Sequence, residues 1–347
     1  MTTNFVLAAG WGFVLLASFI GYGKLLHRLL FPAERVGWAV SAAWGIAFII
    51  ALGGWLNLAG IISPALIIAL IGFGVVSTIF EVLMQKGSIG EGFKSHCLRV
   101  RQQLPIELLK LTGLGIIVAL AGMQYLGAVT NEASHYNYIV IDDLRGYFLF
   151  PKQMLEAGAI TSDPFNLTRL GNGLAGQAIL QAMILVVLDF YNILLMDAGI
   201  ALIVCVGLVW DIAGKRGLSF PWKWLLVVFF LCFPYYPTLR INASSFATGM
   251  AILLALFDLL DRDDISPGSP IKKAFIIGLL AAGACALKTT YLPPLVMILA
   301  VSYLCYLITS RFNRRSAAET LFVPAVTFAM LLPWMLALLK SSGTMLY

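Results

Sequence analysis

Long apolar runs recur from one end of the chain to the other, at 5–22, 37–58, 61–83, 111–129, 192–210, 222–234, 245–260, 274–287, 292–308 and 321–339. Most of them are close to the length that carries an α-helix through a hydrocarbon core of about 30 Å. A soluble globule could not hide so much apolar surface: 60% of the 347 residues are hydrophobic, 12% are charged, and the mean hydropathy is +0.91. The sequence therefore predicts an all-α polytopic membrane protein with about ten transmembrane helices. The first run lacks a basic flank and an A-x-A-like cleavage site, so it reads as a retained helix and not as a signal peptide.

The charged residues that remain are distributed unevenly. Loops beginning at Lys24, Lys86, Lys215, Arg262 and Arg311 hold 17 of the 23 Lys and Arg residues, which assigns these five loops to the cytoplasmic side. The net charge of +6 is thus explained by membrane orientation, and no nucleic-acid partner is expected. These loops read as solvated basic anchors. The five cysteines are an odd number, four of them lie within apolar runs, and they suggest neither a disulfide framework nor a zinc site.

This orientation puts the amino terminus and residues 131–170 outside. It also raises a parity conflict, because two apolar segments, 173–188 and 192–210, follow the outer loop before the inner "GKRG" at 214–217. One of them cannot cross. The first is short, glycine-rich at its start and bounded by Asp189, so it is expected to lie in or against the outer interface as a juxtamembrane helix. The chain then divides into N-terminal transmembrane helices with a cytoplasmic loop at 1–110, and a transmembrane module at 111–347 that includes an outer loop at 130–191.

That loop, "NEASHYNYIVIDDLRGYFLFPKQMLEAGAITSDPFNLTRL", concentrates the acids, aromatics and turn formers that the rest of the chain lacks. Asp142 or Asp143 can cap a helix start, Tyr147 lies one turn beyond Asp143, Pro151 would break or restart the helix, and Gly158 fits its end. The same acids would serve equally well as mere caps of a surface helix. Asp197, set among apolar residues, needs either a cavity or a partner, and Asp163-Pro164 reads as a turn.

A crossing followed by acid-acid-x-x-x-Tyr, then "ML..G", then "DPF" and a glycine-containing apolar segment, resembles the first outer loop of the GT-C-type glycosyltransferases, which use polyprenyl-phosphate sugars. Here the matching residues are Asp142, Asp143, Tyr147, Met154, Leu155, Gly158, Asp163, Pro164 and Phe165, and the likeness covers roughly residues 111–339. It departs from the family's pattern in having three earlier crossings, in lacking "PPL" in the second half of the loop, and in stopping at Tyr347, where the family carries more helices or an outer domain. The chain is therefore expected to be a fragment lacking that carboxyl-terminal part.

The resemblance implies inverting sugar transfer from a polyprenyl-phosphate donor to a glycan, lipid or protein acceptor, on the extracytoplasmic side of the bacterial inner (plasma) membrane. Asp143 is the expected base, with Asp142 second, since one carboxylate must take the proton of the attacking hydroxyl. The leaving phosphate needs cationic stabilisation, for which Arg240 and Lys288 are placed at outer helix ends, Arg145 and Arg169 within the loop being the next cations. His135, Tyr136 and Tyr138 could line a sugar site, an interfacial aromatic belt being the alternative for the two tyrosines, and Tyr147 of the shared motif is a further substrate-binding candidate. No third acidic ligand accompanies Asp142 and Asp143, so no cofactor is expected, a divalent metal at the acid pair being the alternative. A lipid-linked glycan polymerase or ligase, and a lipid or glycan flippase or transporter, are the competing readings.

Overall fold

A computed structural model describes residues 3–32, 36–100, 104–130, 148–161, 174–189, 192–232, 245–261, 270–309 and 314–345. Among the described residues all regular structure is helical. In chain order the helices are α1 (Thr3–Leu30), α2 (Trp38–Ala59), α3 (Pro64–Val100), α4 (Leu104–Thr130), α5 (Leu149–Ala157) and α6 (Gly176–Leu185). A π-helical stretch, Leu195–Ala201, runs directly into α7 (Leu202–Lys215), followed by α8 (Phe220–Leu231), α9 (Phe246–Leu260) and α10 (Pro270–Leu287). A 3₁₀ turn at Thr289–Tyr291 leads into α11 (Leu292–Thr309), and α12 (Arg314–Ser342) ends the described chain.

Among the described residues seven helices are long and apolar enough to cross a membrane, in agreement with an integral membrane protein. They correspond to the apolar runs of α1, α2, α3, α4, the π-helix with α7, α11 and α12. The remaining three runs form α8, α9 and α10, of 12, 15 and 18 residues. At 1.5 Å per residue these reach about 18, 22 and 27 Å. The loop expected at 86–110 is mostly helix instead, since α3 continues to Val100 and α4 begins at Leu104.

The core is organised around α2, of whose 22 residues 15 are buried. Lipid tails are as apolar as leucine, so helices in a membrane associate by close packing and interhelical hydrogen bonds. Small residues supply the first. A Cβ at Gly23 would run into the Ser41 carbonyl, and one at Gly45 into the Phe19 carbonyl, which lets α1 and α2 touch backbone to backbone. Long side chains supply the second: Tyr22 donates to the Leu70 carbonyl (2.9 Å) and Trp334 Nε1 to the Ile50 carbonyl (3.0 Å), tying α3 and α12 into the same stack.

The segment 173–188 is where expectation and structure part. It does form a short helix: α6 has ten residues, about 15 Å of rise, half of what a crossing requires. It is not an interfacial helix with one wet face, however. Every residue from Gly176 to Ile184 is buried among other helices. The reason is visible in its composition, for an amphipathic helix needs a polar face, and a helix that is apolar nearly all round finds its place in the interior. Buried backbone needs its polar groups satisfied. At the end of α6 they are: the Ala182 carbonyl accepts from Val186 N–H (3.0 Å), Met183 from Trp11 Nε1 (2.9 Å) and Ile184 from Leu188 N–H (3.0 Å).

Candidate functional site

Of the residues that sequence reasoning nominated, Asp142, Asp143, His135, Tyr136, Tyr138, Arg145, Tyr147 and Arg240 lie outside the described residues, as do Asp163 and Arg169. Lys288 is described, together with the chain that flanks the acidic motif.

Phe148 directly follows Tyr147 and is buried against Ile193 and Leu194, with Leu185 packed beside them. Phe148, the first described residue after the acidic motif, is thus anchored at the C-terminal end of α6. Helix α5 then leads away to Gly158, whose φ of 81° closes the helix with its N–H on the Met154 carbonyl (3.1 Å). That left-handed position fits glycine, as the sequence indicated. Gly158 meets a second glycine cap, Gly60 at the end of α2 (φ 69°), so closely that a Cβ on Gly158 would strike the Gly60 carbonyl. Two hydrogen bonds lock the junction: Ile62 N–H donates to the Gly158 carbonyl (3.0 Å), and Ile160 N–H donates to Asn57 Oδ1 (2.8 Å). Asn57 is buried, and it satisfies a backbone donor that would otherwise be stranded.

Lys288 sits at the opposite end of α6. Gly176, the first residue of α6, lies against the Ala286 backbone, where a Cβ would come within 2.9 Å of the carbonyl oxygen. Lys288 follows two residues later in extended conformation (φ −161°), and its carbonyl accepts from Tyr291 N–H (3.1 Å). Its side chain is half-buried, and its ammonium makes no hydrogen bond or ion pair among the described residues. A cation just beyond the last turn of α10 complements the negative end of that helix. The next turn is fixed in place by Tyr291, whose hydroxyl donates to the Ser245 carbonyl at the start of α9 (2.8 Å).

Asp197 has a definite role in this corner. Its carboxylate receives Ala247 N–H on Oδ2 (3.0 Å) and both Thr248 N–H and Thr248 Oγ1 on Oδ1 (2.7 Å each). It therefore caps the N-terminus of α9 from another helix, 50 residues away in sequence. The helix's unsatisfied N–H groups and the positive end of its dipole hold a charge that lipid would reject. Of the two roles open to this residue in the sequence, partner or substrate contact, its oxygens are committed to the first.

The basic end of α7 also differs from a solvated anchor. Lys215 Nζ lies 2.5 and 2.7 Å from the two oxygens of Asp258, whose side chain is only 3% exposed, and Arg216 pairs with Asp261 at 2.5 Å. The acids lie some 43 residues away, beyond the reach of any local pattern.

Two features had no place in the sequence-derived site. One is Ala175, the only non-glycine residue with positive φ (65°) among the described residues, immediately before α6. The other is Gln177, 3% exposed, whose amide nitrogen and oxygen both lack a hydrogen-bond partner. A signal for the latter was present: Gln177 and Gln181 interrupt an otherwise apolar run four residues apart, one above the other on a helix face. A cleft lined by Asn57, Ile160, Ala175, Trp334 and Ser341 opens at Ala175, but at about 10 Å³ it has room for a single water and not for a substrate.

Comparison with protein-family models, with curated proteins and with solved structures found no match to the chain.

Proposed function

We propose that the protein transfers a sugar from a polyprenyl-phosphate donor to an acceptor hydroxyl at the extracytoplasmic face of the bacterial plasma membrane. Asp143, or Asp142, takes the proton of the acceptor hydroxyl as its oxygen bonds to the anomeric carbon. The bond from that carbon to the phosphate oxygen breaks, configuration inverts, and polyprenyl phosphate leaves with both electrons of the broken bond. Lys288 and Arg240 neutralise the departing phosphate, with Arg145 as the next cation in the loop, while His135 and Tyr147 line the sugar. No metal or other cofactor takes part in this scheme.

The observation that carries this reading is the placement of α6. One end of α6 packs near Phe148, which follows the acidic motif in sequence, and the other meets Ala286, two residues before Lys288; α6 itself is about 15 Å long. That span suits a lysine side chain, a phosphate and one sugar ring. In this scheme α8, α9 and α10 cross as well, giving ten crossings, and α6 does not, which keeps both groups on one side. The commitment of Asp197 to the start of α9 speaks against its use as the ion-coupling acid that a transporter would need.

The test is turnover of labelled polyprenyl-phosphate sugars by purified protein in nanodiscs. Release of polyprenyl phosphate is expected from the native chain, and Asp143→Asn should lower it by about 10²- to 10⁴-fold while leaving membrane insertion intact. Near-normal turnover in both Asp143→Asn and Asp142→Asn would remove the base. Movement of intact donor across vesicles without release would replace transfer by flipping.

A further inference from the structure

Helix α5 packs along α6 with one face only. Its buried face is Phe150, Pro151 and Met154, while Lys152 and Glu156 form an exposed pair, 3.7 Å apart, on the other. An apolar stripe with a charged face opposite is the pattern of a helix laid on a surface. The two helices run antiparallel, since Phe148 packs beside Leu185 at one end and Ile160 lines the same cleft as Leu174 and Ala175 at the other.

The two ends of α5 are attached differently. At the Gly158 end the backbone is fixed by two hydrogen bonds, Ile62 N–H to the Gly158 carbonyl and Ile160 N–H to Asn57 Oδ1, and by the close contact of Gly158 with Gly60. At the other end Phe148 rests with Ile193, Leu194 and Leu185 in a small apolar cluster separate from the main core. Apolar contact is non-directional and can be broken and remade, whereas a hydrogen-bonded backbone keeps its geometry. Gly158, at φ 81°, also has a conformational freedom that the other residues of α5 lack.

Between the ends, the closed arrangement leaves Gln153 Oε1 sealed from water and without a hydrogen-bond donor. A buried acceptor of this kind disfavours the state that seals it, and water reaches it once α5 lifts. The helix underneath is buried throughout Gly176–Ile184, and the cleft at the Gly158 end admits one water. A molecule larger than water therefore meets α6 only when a covering element moves.

We infer that α5 is a hinged strap: it pivots at Gly158, is latched by Phe148, and swings away from α6 to open the fold at the latched end. Moving elements are drawn from the less stable parts of a structure, and a hinge is a short stretch that absorbs the change in φ and ψ. The inference does not depend on sugar transfer, and its test uses no substrate.

The test is the rate at which an impermeant maleimide labels single cysteines in nanodisc-embedded protein whose five native cysteines have been replaced. Met154→Cys reports from the covered face of α5, and Ala47→Cys, in the buried core of α2, reports global unfolding. Met154→Cys should label about 10-fold or more faster than Ala47→Cys. Phe148→Ala removes the latch and should speed Met154→Cys by about 10- to 1000-fold, leaving Ala47→Cys unchanged. Gln153→Met removes the sealed acceptor and should slow Met154→Cys by about 3- to 30-fold. Equal rates at the two positions in the native background would overturn the inference, and so would a rise at both in Phe148→Ala, the mark of a chain that unfolds as a whole. A Met154→Cys rate that Phe148→Ala leaves unchanged, or that Gln153→Met does not lower, would overturn it too.

Discussion

Replacing Asp197 offers a quantitative test of how this chain holds a charge among apolar helices. The carboxylate is 4% exposed and accepts three hydrogen bonds, two from N–H groups of α9 and one from the Thr248 hydroxyl. Hydrogen bonds to charged groups contribute about 1.5–3 kcal/mol each, but they are not additive within one network. Asp197→Ala leaves two backbone donors and a hydroxyl buried without an acceptor, and should cost about 3–5 kcal/mol. Asp197→Asn can keep its oxygen on Thr248 but turns an amide N–H toward Ala247 N–H, so its cost should be about 1–3 kcal/mol. Thr248→Val removes only the hydroxyl, and its coupling to Asp197→Asn in a double-mutant cycle should be about 0.5–3 kcal/mol. Unfolding in mild detergent micelles, followed by tryptophan fluorescence against denaturant, measures all four. If Asp197→Asn matched the native stability while turnover collapsed, Asp197 would be a substrate contact and its assignment as a cap would be wrong.

Three further outcomes follow from the packing. Gly45→Leu should lower stability by about 1–3 kcal/mol or more, because the side chain must displace the Phe19 carbonyl; Gly10→Leu, which meets nothing within 4 Å, serves as the neutral control in the same unfolding assay. Asn57→Leu strands the Ile160 N–H and should cost about 1–3 kcal/mol, with faster amide hydrogen exchange at residues 158–161 as the local readout. Lys215→Met leaves Asp258 without this partner and should cost about 2 kcal/mol, a modest figure because Lys215 is half-exposed; Lys215→Met combined with Asp258→Leu should recover much of it.

The sequence was most informative where one physical requirement dominates. Apolar length sets the crossings, and the runs that became α1, α2, α11 and α12 could be read directly for that reason. Parity singled out 173–188, which forms a helix of only ten residues, because it combines charge placement with length. Its burial was not legible: a short apolar segment can satisfy its carbonyls at an interface or inside protein, and the partner that decides, Trp11, lies 172 residues away. Asp197, Asp258 and Asn57 were opaque for the same reason. Each is matched to a group 43 to 103 residues distant, and neither periodicity nor local spacing reports on such a pairing. The glycine that ends α5 was legible because a left-handed cap is a local need, whereas its collision with Gly60 was not.

The burial of α6 also constrains the order in which the protein can be assembled. Its neighbours come from both sides of it in the chain: Trp11 and Ile50 are made earlier, but Ala286, against which its first residue rests, is made 110 residues later. At about 5–20 residues per second, the ribosome reaches Ala286 roughly 5–20 s after Gly176. During that interval the segment is too short to be held as a crossing and has no completed pocket to enter. Ribosome-bound chains arrested before Ala286 should therefore leave a cysteine at Ile179 open to thiol reagents, and chains extended beyond α10 should protect it. In biogenesis α6 is thus a piece whose pocket is completed only when the later half of the chain arrives.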